Sequence, residues 1–297
     1  MEYKDIIKKG SKSFSMASMF FSETEKSSSW KLYSWCRHCD DLIDEIQDES
    51  PVSERLKYLR AETADLINKR PTDFHMLGLY EVIRNYSVPL QYPMDLLRGM
   101  EMDVEGRRFQ TLKELEFYCY CVAGTVGLMM CHILGVRNDE ALKHAVSLGN
   151  AMQLTNICRD ISEDHQKGRL YIPLNFIQEM GLNEVSLFEE KSQHSLIYIQ
   201  ERLLKRADEL YEDGMKGLSY LSIRSAWAVL IAAMVYSEIG RVIRENPSES
   251  LKKRAVVSKG RKVWIVFKSI FKLIPFLFHH LKSEKVSPPQ SVWSMNS

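Results

Sequence analysis

The sequence predicts an all-α fold, and three observations carry that reading. Apolar residues recur at helical spacing along most of the chain, the breaks between these runs fall at Pro and Gly, and no alternating strand series is present. A composition of 45% hydrophobic and 27% charged residues over 297 positions supplies enough apolar surface to close a substantial core. The sequence has no fixed-period repeat and no low-complexity linker. The simplest architecture is one domain over 1–297, with roughly ten or more helices around a central cleft.

The elements follow in order. MEYKDIIKKG reads as a short helix, broken at Gly10-Ser11 and followed by a second short segment rich in hydroxyls, with Phe14, Phe20 and Phe21. From Ser27 to Gln47, serines cap a helix that places Trp30, Tyr33, Cys36 and Ile43 at helical spacing and keeps one wet, acidic face. Pro51 breaks it, a helix resumes from Ser53 and ends by Pro71, another spans Thr72 to Arg84, and a further one follows Pro93. Thr111 to Leu134 is a long apolar helix. Its Gly124 and Gly127, costly inside a helix, point to a close helix contact or ligand approach. Glu140 to His165 is helical with an interruption at Gly149, and helices then run from Leu187 to Gly214 and from Ile223 to Arg244. A basic and apolar segment at about 252–287 closes the chain.

Forty Lys and Arg against thirty-nine Asp and Glu leave a formal charge of +1, so there is no global field to favour nucleic acid and any polyanion site is local. The six cysteines lie amid helix-like sequence, and with no secretory leader they predict reduced thiols inside a cell. The longest unbroken apolar run, Ala226 to Val235, is about half of what a spanning helix needs.

The carboxylates are the informative feature. Asp40 and Asp44 in WCRHCDDLIDE stand four residues apart, hence on one helical face, where like charges oppose each other unless compensated. Asp160 and Asp164 repeat the arrangement in NICRDISEDHQKGR, with Asn156 one turn upstream. Across a cavity, two such faces make an oxygen-rich cage suited to Mg²⁺ bridging a polyphosphate. Arg37 beside the first pair, and Arg159, Lys167 and Arg169 around the second, are candidates for diphosphate contacts. The plainer alternative is two solvated helix faces with internal salt bridges.

Other motifs carry less. DDLIDEIQDES lacks the central glycine of an EF-hand loop, and Cys36-x-x-Cys39 lacks a second ligand pair for zinc and reads as semi-buried thiols. Neither a phosphate-binding glycine loop nor a nucleophilic-serine elbow occurs. His38 and His165 lie beside the acidic clusters in sequence, where packing or hydrogen bonding accounts for them as well as acid–base work does.

The strings SKSFSMA (from Ser11), YSWCRHCDDLIDE (from Tyr33), GMEMDVEGRRF (from Gly99), YCYCVAGTVG (from Tyr118) and NAMQLTNICRDISEDHQKGRLYIP (from Asn150) together resemble the squalene and phytoene synthase family, most closely its bacterial phytoene-forming members. The resemblance covers roughly Ser11 to Arg261 and implies an isoprenoid synthase fold, a helical bundle around a deep cavity. It implies that Asp40, Asp44, Asn156, Asp160 and Asp164 bind Mg²⁺, with Mn²⁺ as a substitute, and that Asp41 and Glu163 assist. It further implies that Arg37, Arg159 and Arg169 hold diphosphate, and that Tyr33, Tyr118 and Tyr236 stand at the pocket. It also implies that Ser13, in the first matching string, binds substrate. Phe14, Phe20, Val122, Ala123, Val126, Gly127 and Leu154 are candidates for the tunnel wall, although core residues share their periodicity.

The implied reaction is a head-to-head condensation of two geranylgeranyl diphosphates through prephytoene diphosphate to phytoene, with no NADPH. The alternatives are dehydrosqualene formation from two farnesyl diphosphates, NADPH-dependent squalene formation, and a noncatalytic scaffold of the same fold. The apolar stripe Val263, Phe267, Ile270 and Ile274 reads either as a membrane-interface helix or as a helix covering the core. The protein is expected in the cytoplasm, and the first reading adds peripheral contact at the inner face of the cytoplasmic membrane.

Overall fold

The computed structural model describes residues 2–10, 12–44 and 51–283; the side chains of Lys12, Ser13, Asp44 and residues 275–283 lie outside that description. The regular elements among the described residues are all helical. Two short helices, α1 (Tyr3–Gly10) and α2 (Lys12–Ser18), lead into α3 (Glu23–Asp44). The third helix starts a turn earlier than its run of serines suggests, because Ser22 and Glu25 form a capping box. Glu25 Oε2 accepts from Ser22 N at 2.8 Å, and Ser22 Oγ accepts from Glu25 N at 3.3 Å.

Next come α4 (Val52–Asp65), α5 (Phe74–Tyr86) and α6 (Gln91–Val104). Asp73 caps α5 by accepting from the backbone N–H groups of His75 and Met76, an arrangement worth about 1 kcal/mol. Pro93 sits inside the first turn of α6 rather than before it, where its missing N–H leaves no intrahelical bond unmade.

The long apolar helix expected from Thr111 to Leu134 is divided into α7 (Leu112–Cys119), a π-helical turn at Tyr120–Gly124, and α8 (Thr125–Ile133). Asp95 of α6, itself buried, accepts from Tyr120 Oη at 3.0 Å and from Gln91 Nε2 at 2.7 Å, and so ties the π turn to α6. Such turns widen a helix and re-aim its side chains, often beside a functional site.

Capped by Asn138, α9 (Asp139–Gln166) runs unbroken through Gly149. That glycine marks a contact rather than an interruption: a β-carbon there would lie 2.6 Å from Ala123 O, and one at Gly127 would lie 2.7 Å from Ala145 O. The two backbones touch at these points, so neither position has room for a side chain.

The chain continues through α10 (Leu174–Glu179), two 3₁₀ turns, α11 (Gln193–Lys216), α12 (Ile223–Glu245), α13 (Pro247–Ser250) and α14 (Lys259–Ser283). α9 packs against α11, α8 and α12, and buried residues of α9, α11 and α12, with others from α7 and α10, form the largest apolar cluster. A second cluster joins α3, α4, α5, α6 and α8 around Leu32, Trp35 and Leu97. Leu112–Ile133 and Ile223–Glu245 are long and apolar enough to cross a bilayer, but 56% of each window is buried against other helices, as in a core helix.

α14 covers the core, but with a face other than the stripe expected from the sequence. Ile265, Ser269 and Leu273 are buried, and Ser269 Oγ accepts from Trp227 Nε1 of α12 at 2.8 Å. Val263, Trp264, Phe267, Ile270, Phe271 and Ile274 face outward and are exposed. Residues 284–287 of the expected segment lie outside the described residues.

Candidate active site

Helical spacing assembles the site from both acidic motifs. Tyr33, Cys36, Arg37 and Asp40 follow one another along one face of α3, and Gln153, Asn156, Asp160 and Asp164 do the same on α9. Side chains of both helices line a polar chamber of about 340 Å³, where Arg37 and Asp40 meet Asn156, Asp160, Glu163 and Asp164. Arg159, Lys167 and Arg169 line the same chamber and supply its positive charge. Asp44 ends α3, and its side chain, like that of Ser13, lies outside the described residues.

The carboxylates differ in their surroundings. Asp160 pairs with Arg159 Nε at 2.8 Å and with Arg254 Nε at 2.9 Å. Arg254, from the segment between α13 and α14, carried no signal in the sequence beyond its place in a basic run. Burial and the nearby Asp160 charge push Asp164 up to about 7, with Arg169 pulling the other way. Asp41 pairs with Arg37 at 2.5 Å, so it acts on the chamber through that guanidinium.

Asp103 of α6 was also missed, although it stands inside one of the matching strings. Its carboxylate accepts from Tyr118 Oη at 2.9 Å and from Tyr171 Oη at 2.7 Å, and all three residues line the polar chamber. Burial, followed by the Asp103 charge, pushes both phenols far above their ordinary range, which keeps them protonated as donors. Burial raises Tyr33 to about 12 against the pull of Arg37.

A second, largely apolar cavity of about 820 Å³ opens from the polar chamber, and the two share Asp40, Val122, Asn156 and Arg159. Phe14, Ala123, Val126 and Gly127, candidates for the tunnel wall, line it together with Tyr33 and Tyr236. Val122 and Ala123 of the π turn are part of this lining. Leu154 does not belong to the site: it is fully buried in the largest cluster, on the side of α9 turned away from Gln153 and Asn156. Phe20 is likewise a packing residue, its ring 4.6 Å from that of Trp227.

The histidines also pack, His38 against His75 and His165 against Phe188. Cys36 lines both cavities, but burial raises its thiol far above the ordinary value and leaves it a poor nucleophile.

The polar chamber fits a hard divalent cation. Asn156 Oδ1 is buried and accepts no hydrogen bond among the described residues, which leaves an orphan oxygen donor beside Asp160 and Asp164. The donors are all oxygens, the set that Mg²⁺ prefers over softer metals. Among the described residues no three His, Cys, Asp or Glu side chains converge in a ready-made cage.

Comparison with known proteins gives a consistent answer. The squalene/phytoene synthase family model matches residues 7–261. The 15-cis-phytoene synthase of Enterobacter agglomerans is 37% identical over 262 residues, covering 86% of this chain and 89% of that protein. That of Pantoea ananas is 35% identical over 266 residues, 86% of each. The crystal structure of a dehydrosqualene synthase in complex with ligand superposes with a TM-score of 0.84 at 33% identity, over 92% of this chain and 95% of that one.

Proposed function

The chain belongs to the squalene/phytoene synthase family, and from that premise we propose that it is a prenyltransferase condensing two geranylgeranyl diphosphates head to head into phytoene. The observation that carries this reading is the junction at Asp40, Asn156 and Arg159, where a charged chamber opens into an apolar cavity more than twice its size. A diphosphate bound on one side of this junction has its prenyl tail on the other.

Arg37, Arg159, Lys167 and Arg169 draw the diphosphates into the polar chamber. Asp40, Asn156, Asp160 and Asp164, with Asp44 in the same motif, would hold Mg²⁺, or Mn²⁺ as a substitute, which would neutralise charge on the leaving diphosphate. Loss of the first diphosphate gives an allylic cation, which the double bond of the second molecule attacks. Loss of a proton then closes the cyclopropane ring of prephytoene diphosphate. Departure of the second diphosphate, rearrangement and a further proton loss give phytoene, so no reductant enters.

The walls provide what such cations need. Val122, Val126 and Gly127 offer apolar surface that excludes water, and Phe14 and Tyr33, stacked 5.7 Å apart, offer aromatic faces that stabilise positive charge. Tyr118 and Tyr171 hold their protons on Oη and fix Asp103 at the edge of the chamber. Two prenyl diphosphates are the substrates, and nucleic acid has no role.

Product analysis tests the reading. Purified protein with Mg²⁺ is given geranylgeranyl or farnesyl diphosphate, each with and without NADPH, and the products are separated and weighed by mass spectrometry. Phytoene from the longer substrate without NADPH is expected. Preferential dehydrosqualene, or squalene with NADPH, from farnesyl diphosphate overturns it in favour of a C30 enzyme.

The outward face of α14 supports a place for the protein as well. Val263, Trp264, Phe267 and Phe271 are exposed on a helix whose charges are all basic, a pattern suited to the anionic inner face of the cytoplasmic membrane. Peripheral contact there gives a cytoplasmic enzyme access to its lipidic substrates and product.

A further inference from the structure

The apolar cavity is closed at a particular depth. α9 runs along its length, from Asn156 at the polar junction past Gln153, Met152, Gly149 and Ala145 to Ala141 at the far end. At a rise of 1.5 Å per residue, Ala145 lies about 16 Å and Ala141 about 22 Å along the helix from Asn156. Beyond Ala145 the cavity is bounded by Cys131 and Val136 at the end of α8, and by Leu218 and Leu221 after α11. These four residues belong, with Ala141, to one buried cluster, so packed core closes the end. Ala145 is not fully buried, although it sits mid-helix against α8, and it lines the cavity beside Gly127, where an added β-carbon would lie 3.8 Å from the Ala145 methyl.

Each five-carbon unit of a prenyl chain adds four bonds, or roughly 5 Å at the reach per bond of an extended backbone. Three units span about 15 Å, the depth of Ala145, and four span about 20 Å, just short of Ala141. We infer that Ala145 sets the chain-length specificity: its small side chain leaves open the space down to Ala141, and that space takes the fourth five-carbon unit. The inference rests on the reading that the substrates are C20 diphosphates bound at the Asn156 junction.

The depth is measurable on the unaltered protein. Non-reactive thiolodiphosphate analogues of C10, C15, C20 and C25 chains are titrated by calorimetry with Mg²⁺ present. Affinity is expected to tighten with each unit up to C20 and to gain nothing at C25. In Ala145→Phe the series is expected to stop at C15. That variant should lose about 10- to 200-fold in C40 product formation, as a pocket does when it no longer admits an apolar group. C30 formation from farnesyl diphosphate should stay within about threefold of the unaltered protein, by the same pocket logic.

Cys131→Phe, which fills the space from the facing wall, should act alike, and Ala145→Gly should keep the C20 limit. An affinity series in the unaltered protein that stops at C15 or still rises at C25 overturns the inference. So does an unchanged C40-to-C30 ratio in folded Ala145→Phe. An unaltered protein that binds the C20 analogue but releases no C40 product overturns the proposed function instead and leaves the measured depth standing.

Discussion

Arg254 Nε lies 2.9 Å from the carboxylate of Asp160, and this ion pair ties the segment between α13 and α14 to the acidic face of α9. Ser162 fastens the same segment by donating a hydrogen bond to the carbonyl of Leu251. Ala255, Val256 and Val257 then line the apolar cavity, so the segment forms one lip of the site. Arg254→Ala removes one of the two guanidiniums on Asp160 and frees the lip. Condensation is expected to fall about 10- to 100-fold, the range for a charge-assisted hydrogen bond. Steady-state kinetics should show a rise in KM, and Arg254→Lys should restore part of the loss by keeping the charge.

The paired carboxylates give a second prediction. Asp40→Asn and Asp160→Asn keep side-chain shape while removing charge from the polar chamber, so folding is expected to survive and ionisation of the substrate to suffer. Losses of about 100- to 1,000-fold in turnover are expected, the scale seen when one electrostatic stabiliser is removed. Far-UV circular dichroism alongside turnover checks this. Native helicity with undiminished condensation at matched Mg²⁺ would remove both residues from the mechanism.

Asp164 makes the metal-free protein sensitive to pH. Its carboxyl titrates at about 7 when folded, against an ordinary 3.8, because burial and Asp160 disfavour the charge. Between these values the folded state holds a proton that the unfolded chain has released, so stability falls as pH rises from about 4 to 7. Thermal melts without divalent ions should show this fall, and Asp164→Asn should flatten it. The same proton competes with a cation, so Mg²⁺ affinity should strengthen with pH up to about 7 and level off above it.

The order of helices and both acidic faces were legible because 3.6-residue periodicity and i,i+4 spacing are local properties. Tyr33, Arg37 and Asp40 could be placed on one face from their numbers alone. What escaped depends on contacts distant in sequence. Arg254 reaches Asp160 across more than ninety residues, and Asp103 gains its role only when Tyr118 and Tyr171 fold over it. Leu154 and Asn156 share a helix and near-identical spacing from their neighbours, yet only Asn156 faces the cavities, because the phase of α9 is set by its packing. The π turn was invisible for a similar reason: the hydrogen bond from Tyr120 to Asp95 links it to another helix.

Gly149 tests the close contact that shapes the cavity. A β-carbon there would stand 2.6 Å from Ala123 O and 2.8 Å from Gly124 Cα, both backbone atoms that cannot swing aside. Gly149→Ala, although favoured by helix propensity, is expected to destabilise the fold by about 1–3 kcal/mol through overpacking. Denaturant unfolding measures it. A neutral or stabilising result would mean that the π turn and α9 separate readily.

The outward face of α14 leads to the last prediction. Trp264 and Phe267 stack at 5.6 Å, and Phe267 meets Phe271 edge-on at 5.3 Å, so the exposed rings form a continuous strip. Residues 259–283 contain no Asp or Glu, and basic residues flank the strip. Arg261 is engaged by Glu245, but Lys268 and Lys272 are exposed and each adds about 1 kcal/mol of attraction to an anionic surface, and the rings add apolar burial. Replacing Trp264, Phe267 and Phe271 together by Glu removes the apolar term and introduces repulsion. It spares Ile265, Ser269 and Leu273, which dock the helix on the protein. Sedimentation with vesicles containing anionic lipid should therefore recover the unaltered protein and leave the variant in the supernatant, while activity in detergent stays unchanged. Equal sedimentation of the two proteins would place the membrane contact elsewhere, and no sedimentation of either would end the membrane assignment.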